Sequence, residues 1–231
     1  MIRSCYQHKE VHKVYTVFAA NSIRAKRFER AVEISARMFL RDGIEAVKMT
    51  DIADECCIGV ATLYRYFGTK TGITIAAMTY LWNDVKQMFS GVFGSENFRR
   101  QLGIKQLAEL MKLYIVLYET HPGFLKLLGE FDLLIQRENI PKENLREYDQ
   151  SIINFYPVFE SAYMIGIADG SVREDVDIKL FYVSFGHALM SLGKKLVQRE
   201  LLPSDDFSIA KAEMELIIES GVSYLRKREQ D

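Results

Sequence analysis

The sequence predicts an all-α protein in which a small three-helix domain precedes a larger helical domain. Apolar residues recur at helical spacing through most of the chain, and no segment shows the strict alternation of a β-strand. Only 4 prolines and 14 glycines interrupt 231 residues, which favours long helices over many short strands. Two short helical patterns follow a longer one within the first third, which predicts the small domain there.

The composition is that of an ordinary globular protein, with 48% hydrophobic and 26% charged residues. No run of about 18 apolar residues predicts a membrane span, and charged residues interrupt any signal-peptide core. The three cysteines, Cys5, Cys56 and Cys57, form no disulfide framework, so we expect a cytoplasmic location. Adjacent Cys56 and Cys57 are interpreted as two small buried residues, or else as an incomplete redox or metal sensor.

Charge is distributed unevenly along the chain. Residues 1–75 contain 12 Lys+Arg and 8 Asp+Glu, a net +4, whereas the remainder contains 18 and 23, a net −5. A basic end on an acidic body suits a protein that contacts nucleic acid at that end.

The first helices have clear limits. Residues 1–21 lack a period and are interpreted as a flexible arm or a short extra helix. The first helix is predicted to begin after a cap at Asn21 or Ser22 and to stop at Gly43. Its inward residues are predicted to be Phe28, Val32, Ser35, Met38 and Phe39. A second spans about 48–55 with Met49, Ile52 and Ala53 inward, and a third spans about 59–66. Thr69 caps a fourth helix, whose inward residues are predicted to be Ile73, Ala76, Ala77, Tyr80, Leu81 and Val85.

The rest of the chain is also helical in pattern. Residues 91–97 are predicted to form a loop, and Pro157 is predicted to kink a single long helix over 142–168. The other helices are predicted over about 98–120, 124–138, 177–199 and 206–228, with a turn at 202–205.

The second and third helices with their tight turn have the pattern of a helix-turn-helix. Ile52, Ala53, Ile58 and Leu63 can form its small core. Side chains early on the third helix can reach base edges in the major groove, and donors around it can hold phosphates. The predicted base contacts are Val60, Ala61, Thr62 and Arg65, and the predicted phosphate contacts are Tyr64, Tyr66 and Lys70.

This segment resembles the TetR family of transcriptional regulators over about 50 residues, from Phe28 to Met78. The similarity rests on 31–39, Gly43, 51–53, the run Ala61-Thr62-Leu63-Tyr64-Arg65-Tyr66-Phe67, and Lys70. It implies domains at 22–78, for DNA binding, and at 79–231, for ligand binding and dimerisation.

The sequence departs from the family pattern at several positions. Val47 replaces a Thr whose hydroxyl binds phosphate in the family, so Lys48 or Thr50 is expected to substitute for it. Cys57 replaces the turn glycine, Gly59 replaces a capping Ser, and Thr71 replaces a common Glu. Plainer interpretations also stay open, in which Tyr64 packs the helix pair and Arg65 and Lys70 are solvated charges.

Aromatic residues are frequent in the larger domain and can line an apolar pocket, although they can equally be ordinary core. The pocket candidates are Tyr114, Tyr118, Phe131, Phe155, Phe159 and Tyr163. A small hydrophobic or aromatic effector is the ligand this pattern favours.

The segment 170–177 also resembles the family, where it precedes two helices that pair with a second subunit. Small residues on the penultimate helix permit close approach, and the last helix carries an apolar stripe that can alternatively pack within one subunit. The interface candidates are Ser184, Ala188, Ser191, Ile217, Ile218, Val222 and Leu225.

The predicted function is a sequence-specific DNA-binding regulator, a homodimeric repressor that a ligand releases from a pseudo-palindromic operator. An activator of the same fold and a helical protein–protein adaptor are the alternatives. The four histidines have no metal-ligand spacing, and the sequence contains no phosphate-binding glycine loop or nucleophile elbow. We therefore expect no enzymatic activity, no metal and no cofactor.

Overall fold

A computed structural model describes residues 23–90, 95–198 and 206–227. Within these ranges the chain is all-α, as the sequence predicts, apart from an antiparallel bridge between Val172 and Arg226. A 3-10 helix, Lys142–Leu145, precedes α8. The α-helices are α1 (Ile23–Asp42), α2 (Met49–Glu55), α3 (Val60–Phe67), α4 (Lys70–Ser90), α5 (Glu96–Arg99), α6 (Gly103–Thr120), α7 (Pro122–Glu138), α8 (Arg146–Ser151), α9 (Tyr156–Ala168), α10 (Ile178–Leu196) and α11 (Ala210–Leu225).

The N-terminal helices confirm the predicted limits and most of the predicted core. The inward residues of α1 and α2 are buried, and Gly43 ends α1 with a φ of 84°. The Thr69 hydroxyl accepts a hydrogen bond from the Gly72 amide at 3.0 Å, which is the predicted cap of α4. Tyr80 contradicts the prediction, because it is 41% exposed. It follows three buried residues on α4 but lies at the border of the apolar stripe, where a phenol ring can reach solvent.

The single helix predicted over 142–168 is wrong. The chain leaves the helical conformation at Ile152, which adopts φ −60° and ψ 133°, and α9 begins only at Tyr156. Pro157 therefore lies in the first turn of a new helix instead of kinking an old one. The first turn accepts proline because its amides have no partner within the helix.

Other helix ends differ from their predictions by a few residues. Ser95 caps the short α5 and Gly103 starts α6, so the predicted helix over 98–120 is divided, and residues 96–97 are not loop. Asp177 caps α10 by accepting a hydrogen bond from the Leu180 amide at 2.9 Å. The predictions for residues 1–22 and for the turn at 202–205 fall outside the described residues.

The chain divides into two compact units. Of the described residues, those up to Val85 and those of Glu130–Ile152 form the first unit, and those of Lys86–Gly129 and from Ile153 onward form the second. Helices α4 and α7 each contribute residues to both. None of the helices in the described residues is both long enough and apolar enough to span a bilayer.

Candidate nucleic-acid interface

Helices α2 and α3 form a helix-turn-helix around a small apolar core. Ile52 and Leu63 are fully buried between them, and Phe67 stacks on Phe28 of α1 with ring centroids 4.7 Å apart. In the turn, the Ile58 amide donates to the Ala53 carbonyl at 3.0 Å. Buried aromatic contacts of this kind fix the angle at which α3 projects.

The outward face of α3 carries three of the four predicted base-contact residues. Val60, Ala61 and Arg65 are exposed, and Thr62 is half-buried. Tyr64, a predicted phosphate contact, is 49% exposed on the same helix. Val60, Tyr64 and Arg65 therefore give α3 an exposed face with apolar, aromatic and cationic groups, the kinds of group that can contact base edges and phosphates.

Tyr66 is placed differently from Tyr64. Its residue is only 4% exposed, and its ring meets Phe28 and Phe67 edge-on at 6.0 and 6.1 Å. The guanidinium carbons of Arg24 and Arg65 each lie 5.9 Å from the ring centroid. The ring therefore holds α3 against α1, and a phosphate contact through its hydroxyl stays a prediction.

The start of α4 lies beside α3. Lys70 is half-buried, and its Nζ donates to the Glu45 carbonyl at 3.2 Å. An added Cβ at Gly72 would lie 2.0 Å from the Phe67 carbonyl oxygen, so only glycine allows α4 to pass so close to the end of α3. Free amides and the helix dipole at such an N-terminus favour a phosphate.

Lys48 and Thr50, the substitutes predicted for Val47, are both exposed at the start of α2. The Lys48 amide donates to Asp51 Oδ2 at 2.9 Å, so this contact uses the backbone of Lys48 and not its ammonium group. Val47 is itself 2% exposed. Its apolar side chain belongs to the core, so any phosphate contact at the start of α2 must come from Lys48 or Thr50.

Three side chains of α7 hold the loop between α1 and α2 and the start of α4, and no sequence pattern predicts them. Glu130 Oε2 accepts the Ile44 amide at 2.8 Å, and Arg137 lies 2.5 Å from a carboxylate oxygen of Glu45. The Thr71 hydroxyl donates to Glu138. We call Glu130, Arg137 and Glu138 the α7 clamp. It holds the loop that precedes Lys48 and the first turn of α4, which begins at Lys70.

The adjacent cysteines have different environments. Cys56 is buried, as predicted, and burial raises the pKa of its thiol to about 11. Cys57 is exposed with a φ of 55°, which contradicts the buried interpretation. The reason is the tight turn itself, which places this residue in the left-handed conformation that glycine usually occupies. No cluster of metal-ligating side chains occurs among the described residues.

The second unit contains a narrow cavity with a free volume of about 20 Å³, room for roughly one water molecule. It includes Tyr114, Phe155 and Phe159 of the predicted pocket set. Burial raises the pKa of Tyr114 to about 12, and nearby Tyr182 adds to the shift. The residues around the cavity are Leu110, Met111, Tyr114, Phe155, Phe159, Tyr182, Phe185, Gly186 and Leu189.

The other predicted pocket residues lie elsewhere. Phe131 is fully buried in the first unit, where it meets Tyr148 edge-on at 4.8 Å. Tyr163 directs its hydroxyl to the Glu174 carbonyl at 3.0 Å, and Tyr118 is half-buried away from the cavity lining. An aromatic side chain in a helical protein is core more often than ligand site, because its large apolar area stabilises packing.

Helices α10 and α11 present an apolar face that differs partly from the predicted one. Ser184, Ala188 and Ser191 are exposed on α10, as a contact surface requires, next to Leu180 at 64% exposure. On α11, however, Ile218 and Leu225 are buried within the chain, and Ile217 and Val222 are half-buried. The stripe predicted to face a partner packs largely inward instead. The exposed apolar residues of this part of the chain are Leu180, Val183, Ile209, Leu216 and Tyr224.

Residues 32–77 match the family described as "Bacterial regulatory proteins, tetR family". The N-terminal domain is that of a TetR-family regulator. This match covers α2, α3 and the turn between them, with most of α1 and the start of α4. The exposed face of α3 lies within the matched residues.

Two curated regulators and a solved structure are similar to the chain. The HTH-type transcriptional repressor KstR of Mycobacterium tuberculosis is 32% identical over 77 residues, 32% of this chain and 35% of KstR. The uncharacterised HTH-type transcriptional regulator YerO of Bacillus subtilis is 23% identical over 174 residues, 71% of this chain and 55% of YerO. The chain thus spans about half or less of the length of the curated relatives it matches.

The fold extends through the whole chain of a solved relative. A transcriptional regulator from Saccharomonospora viridis, solved in complex with choline, superposes with a TM-score of 0.65 at 18% identity. The superposition covers 88% of this chain and 100% of that one. The helices that follow the DNA-binding domain therefore also have the fold of this class of regulators.

Proposed function

We propose that the protein is a sequence-specific transcriptional repressor that binds a pseudo-palindromic operator as a homodimer and leaves it when a small molecule binds the second unit. The observation that carries the proposal is the exposed face of α3 within a TetR-type domain. The similarity to the repressor KstR in a 77-residue segment favours repression over activation.

Phosphate contacts around α3 supply most of the affinity in this proposal. Tyr64 is exposed, and Lys70 extends from the N-terminus of α4, where the helix dipole adds to its charge. Lys48 and Thr50 extend from the start of α2 on the other side of the motif. Contacts of this kind set the position of the recognition helix, and Val60, Ala61, Thr62 and Arg65 then read the bases.

The dimer is proposed from the exposed face of α10 and α11. Leu180, Leu216 and Ile209 are each more than half exposed, and burial of these apolar side chains in a shared interface would be favourable. Ser184, Ala188 and Ser191 are small exposed residues of α10 that allow close helix approach. A pseudo-palindromic operator requires two recognition helices about one DNA turn, roughly 34–36 Å, apart, and a two-fold dimer can supply them.

The effector site is proposed at the cavity of the second unit. A ring-sized compound exceeds its free volume of about 20 Å³, so binding must displace a side chain of the lining. Phe155 lies in the non-helical link between α8 and α9, and its ring meets Phe89 of α4 at 5.9 Å. Displacement of Phe155 therefore acts on α4, whose first residue is the phosphate contact Lys70. An effector that favours the displaced arrangement would shift the population away from the DNA-binding state.

The test of this proposal is binding of the full chain to the DNA upstream of its own gene, followed by fluorescence anisotropy across a salt series. We expect tight binding that weakens steeply with salt and that Tyr64→Ala and Lys70→Ala both reduce. Lys70→Ala should also lower the slope of log K against log salt by about 1. Equal affinity for random DNA at every salt concentration would contradict the proposal and support the helical adaptor.

A further inference from the structure

We propose that the cavity of the second unit takes a small, neutral aromatic compound with one hydrogen-bond acceptor, which is recognised by the Tyr114 hydroxyl where it packs against Gly186. This inference rests on the proposed effector-controlled function and specifies the class of the effector. It concerns three features of the cavity: its charge, its polar atoms and its shape.

The lining of the cavity has no ionic partner for a charged ligand. Its nine residues comprise five aromatic side chains, three aliphatic or thioether side chains and one glycine, and none of these described residues carries a charge. An ion that enters such a site loses its hydration without gaining a counter-charge, which costs several kcal/mol. A neutral compound does not meet this cost, and its apolar surface gains from burial.

The polar atoms of the cavity are the hydroxyl groups of two tyrosines. Tyr182 Oη accepts the Phe155 amide at 3.2 Å, so that hydroxyl is held by the backbone. Tyr114 is half-buried, and desolvation raises the pKa of its hydroxyl to about 12, so the phenol is protonated at physiological pH. A protonated phenol is a hydrogen-bond donor, and its natural partner on a ligand is a carbonyl or ether oxygen.

Gly186 controls the space beside that hydroxyl. A Cβ added at Gly186 would lie 3.0 Å from Tyr114 Oη, and it meets no other heavy atom within 4 Å. Glycine therefore lets the hydroxyl lie against the backbone of α10, and a methyl group there would press directly on it. This makes Gly186 a residue that sets the position of the donor.

The size of the cavity limits the ligand to about one ring. Met111 has a flexible side chain, and Phe155 lies outside the helices, so these two side chains can move without breaking a helix. The remaining aromatic side chains lie on α6, α9 and α10, where rotation would disturb close packing. A single aromatic ring with a short substituent is the ligand that this limited displacement can accommodate.

The test uses four probes of nearly equal shape: acetophenone, α-methylstyrene, benzoate and benzamidinium. Their affinities for the full chain are measured by isothermal titration calorimetry. We expect acetophenone to bind about tenfold more tightly than α-methylstyrene, which is the effect of one net hydrogen bond. Benzoate and benzamidinium should bind at least tenfold more weakly than acetophenone, because each brings an uncompensated charge.

Three variants locate the effect. Tyr114→Phe should remove the preference for acetophenone over α-methylstyrene. Both probes should then bind with the affinity that α-methylstyrene has for the unmodified protein, a change that a merely structural role would not produce. Gly186→Ala should weaken both neutral probes. Tyr118→Phe, on the same helix but outside the cavity lining, is the matched control and should leave all four affinities unchanged.

Other outcomes overturn the inference. Tighter binding of either ion, or of phenyltrimethylammonium, would show that the aromatic rings form a cation site instead. A preference for acetophenone that survives in Tyr114→Phe would exclude this tyrosine as the donor, and no binding of any probe would exclude the cavity. Binding to upstream DNA, measured without probes, separates these failures from failure of the proposed repressor function.

Discussion

The Glu130 carboxylate accepts a hydrogen bond from the Ile44 amide at 2.8 Å, and so joins α7 to the loop that precedes the helix-turn-helix. The same carboxylate fills the space beside Gly43, where an added Cβ would approach it to 3.0 Å. The Ile44 amide lies just beyond the end of α1, and a carboxylate is a strong acceptor for such a backbone donor. The position of the α1–α2 loop is therefore set by a residue 86 positions away in the sequence.

The first prediction concerns this contact. Glu130→Ala should destabilise the protein by about 1–3 kcal/mol, because the Ile44 amide loses a charged acceptor. It should also weaken DNA binding, because Lys48 and Lys70 extend from the segment that the α7 clamp holds. Thermal denaturation and anisotropy on the same DNA measure both effects. Gln136→Ala, at an exposed position of the same helix, is the control, and equal behaviour of the two variants would exclude a role for Glu130.

The second prediction concerns the passage between α3 and α4. Gly72→Ala should destabilise the protein by about 2–4 kcal/mol, because its Cβ would lie 2.0 Å from the Phe67 carbonyl oxygen and one helix must move. Gly59→Ala is the matched control, since nothing lies within 4 Å of its added Cβ. Removing glycine from this cap should cost less than about 1 kcal/mol. Chemical denaturation compares them, and equal losses would contradict the close approach of α4 to α3.

The third prediction concerns stability at alkaline pH. Burial raises the pKa of Cys56 from 9.0 to about 11, so the unfolded chain releases this proton at a lower pH than the folded chain. The contribution to stability is complete below pH 9 and is lost as the pH rises toward 11. It is of the order of 1 kcal/mol for this partly shielded thiol, about 2–4 °C in Tm.

A pair of variants isolates this contribution. Between pH 8 and pH 11, Tm should fall less steeply in Cys56→Ala than in the unmodified protein. Cys57→Ala, which removes the exposed thiol, should follow the unmodified protein in slope. Tyr114 and Tyr148, whose pKa values burial raises to about 12, leave a residual decrease above pH 10 in every variant. Parallel curves for the two cysteine variants would contradict the assignment.

The fourth prediction concerns the subunit interface. If α10 and α11 form the proposed dimer interface, Leu216→Glu should convert the dimer to monomers, because Leu216 is 64% exposed on α11. Met164 on α9 has a comparable exposure of 59%, so Met164→Glu controls for the general effect of a charge on an exposed apolar residue. Analytical ultracentrifugation distinguishes the two. A dimer that survives Leu216→Glu and dissociates in Met164→Glu would place the interface on another face.

The helix-turn-helix could be predicted from the sequence because its structure is local. Gly43, Thr69 and the apolar spacing of α1 act within one or two helical turns, and each performs its predicted role. The proline in α9 shows the limit of this reasoning. Pro157 can kink a helix or begin one, and only the packing of the preceding link decides between the two.

Long-range features were less accessible to prediction. Phe131 and Phe155 are equally aromatic in sequence, yet one is core of the first unit and the other lines the cavity of the second. The stripe containing Ile218 and Leu225 has the same period whether it faces its own chain or a partner. The α7 clamp had no sequence signal, because Glu130 and Arg137 look like solvated charges until the loop they hold is placed beside them.

The central claim is that the exposed face of α3 reads base sequence, and the specificity ratio of Arg65→Ala tests it most directly. An operator is first selected from random DNA by the unmodified protein, and the ratio of its affinity to that of scrambled DNA is measured at fixed salt. Arg65→Ala should lower this ratio by about tenfold or more, whereas Lys70→Ala should weaken both DNAs and leave the ratio nearly unchanged. A ratio that Arg65→Ala leaves intact, or that Lys70→Ala lowers equally, would contradict the account.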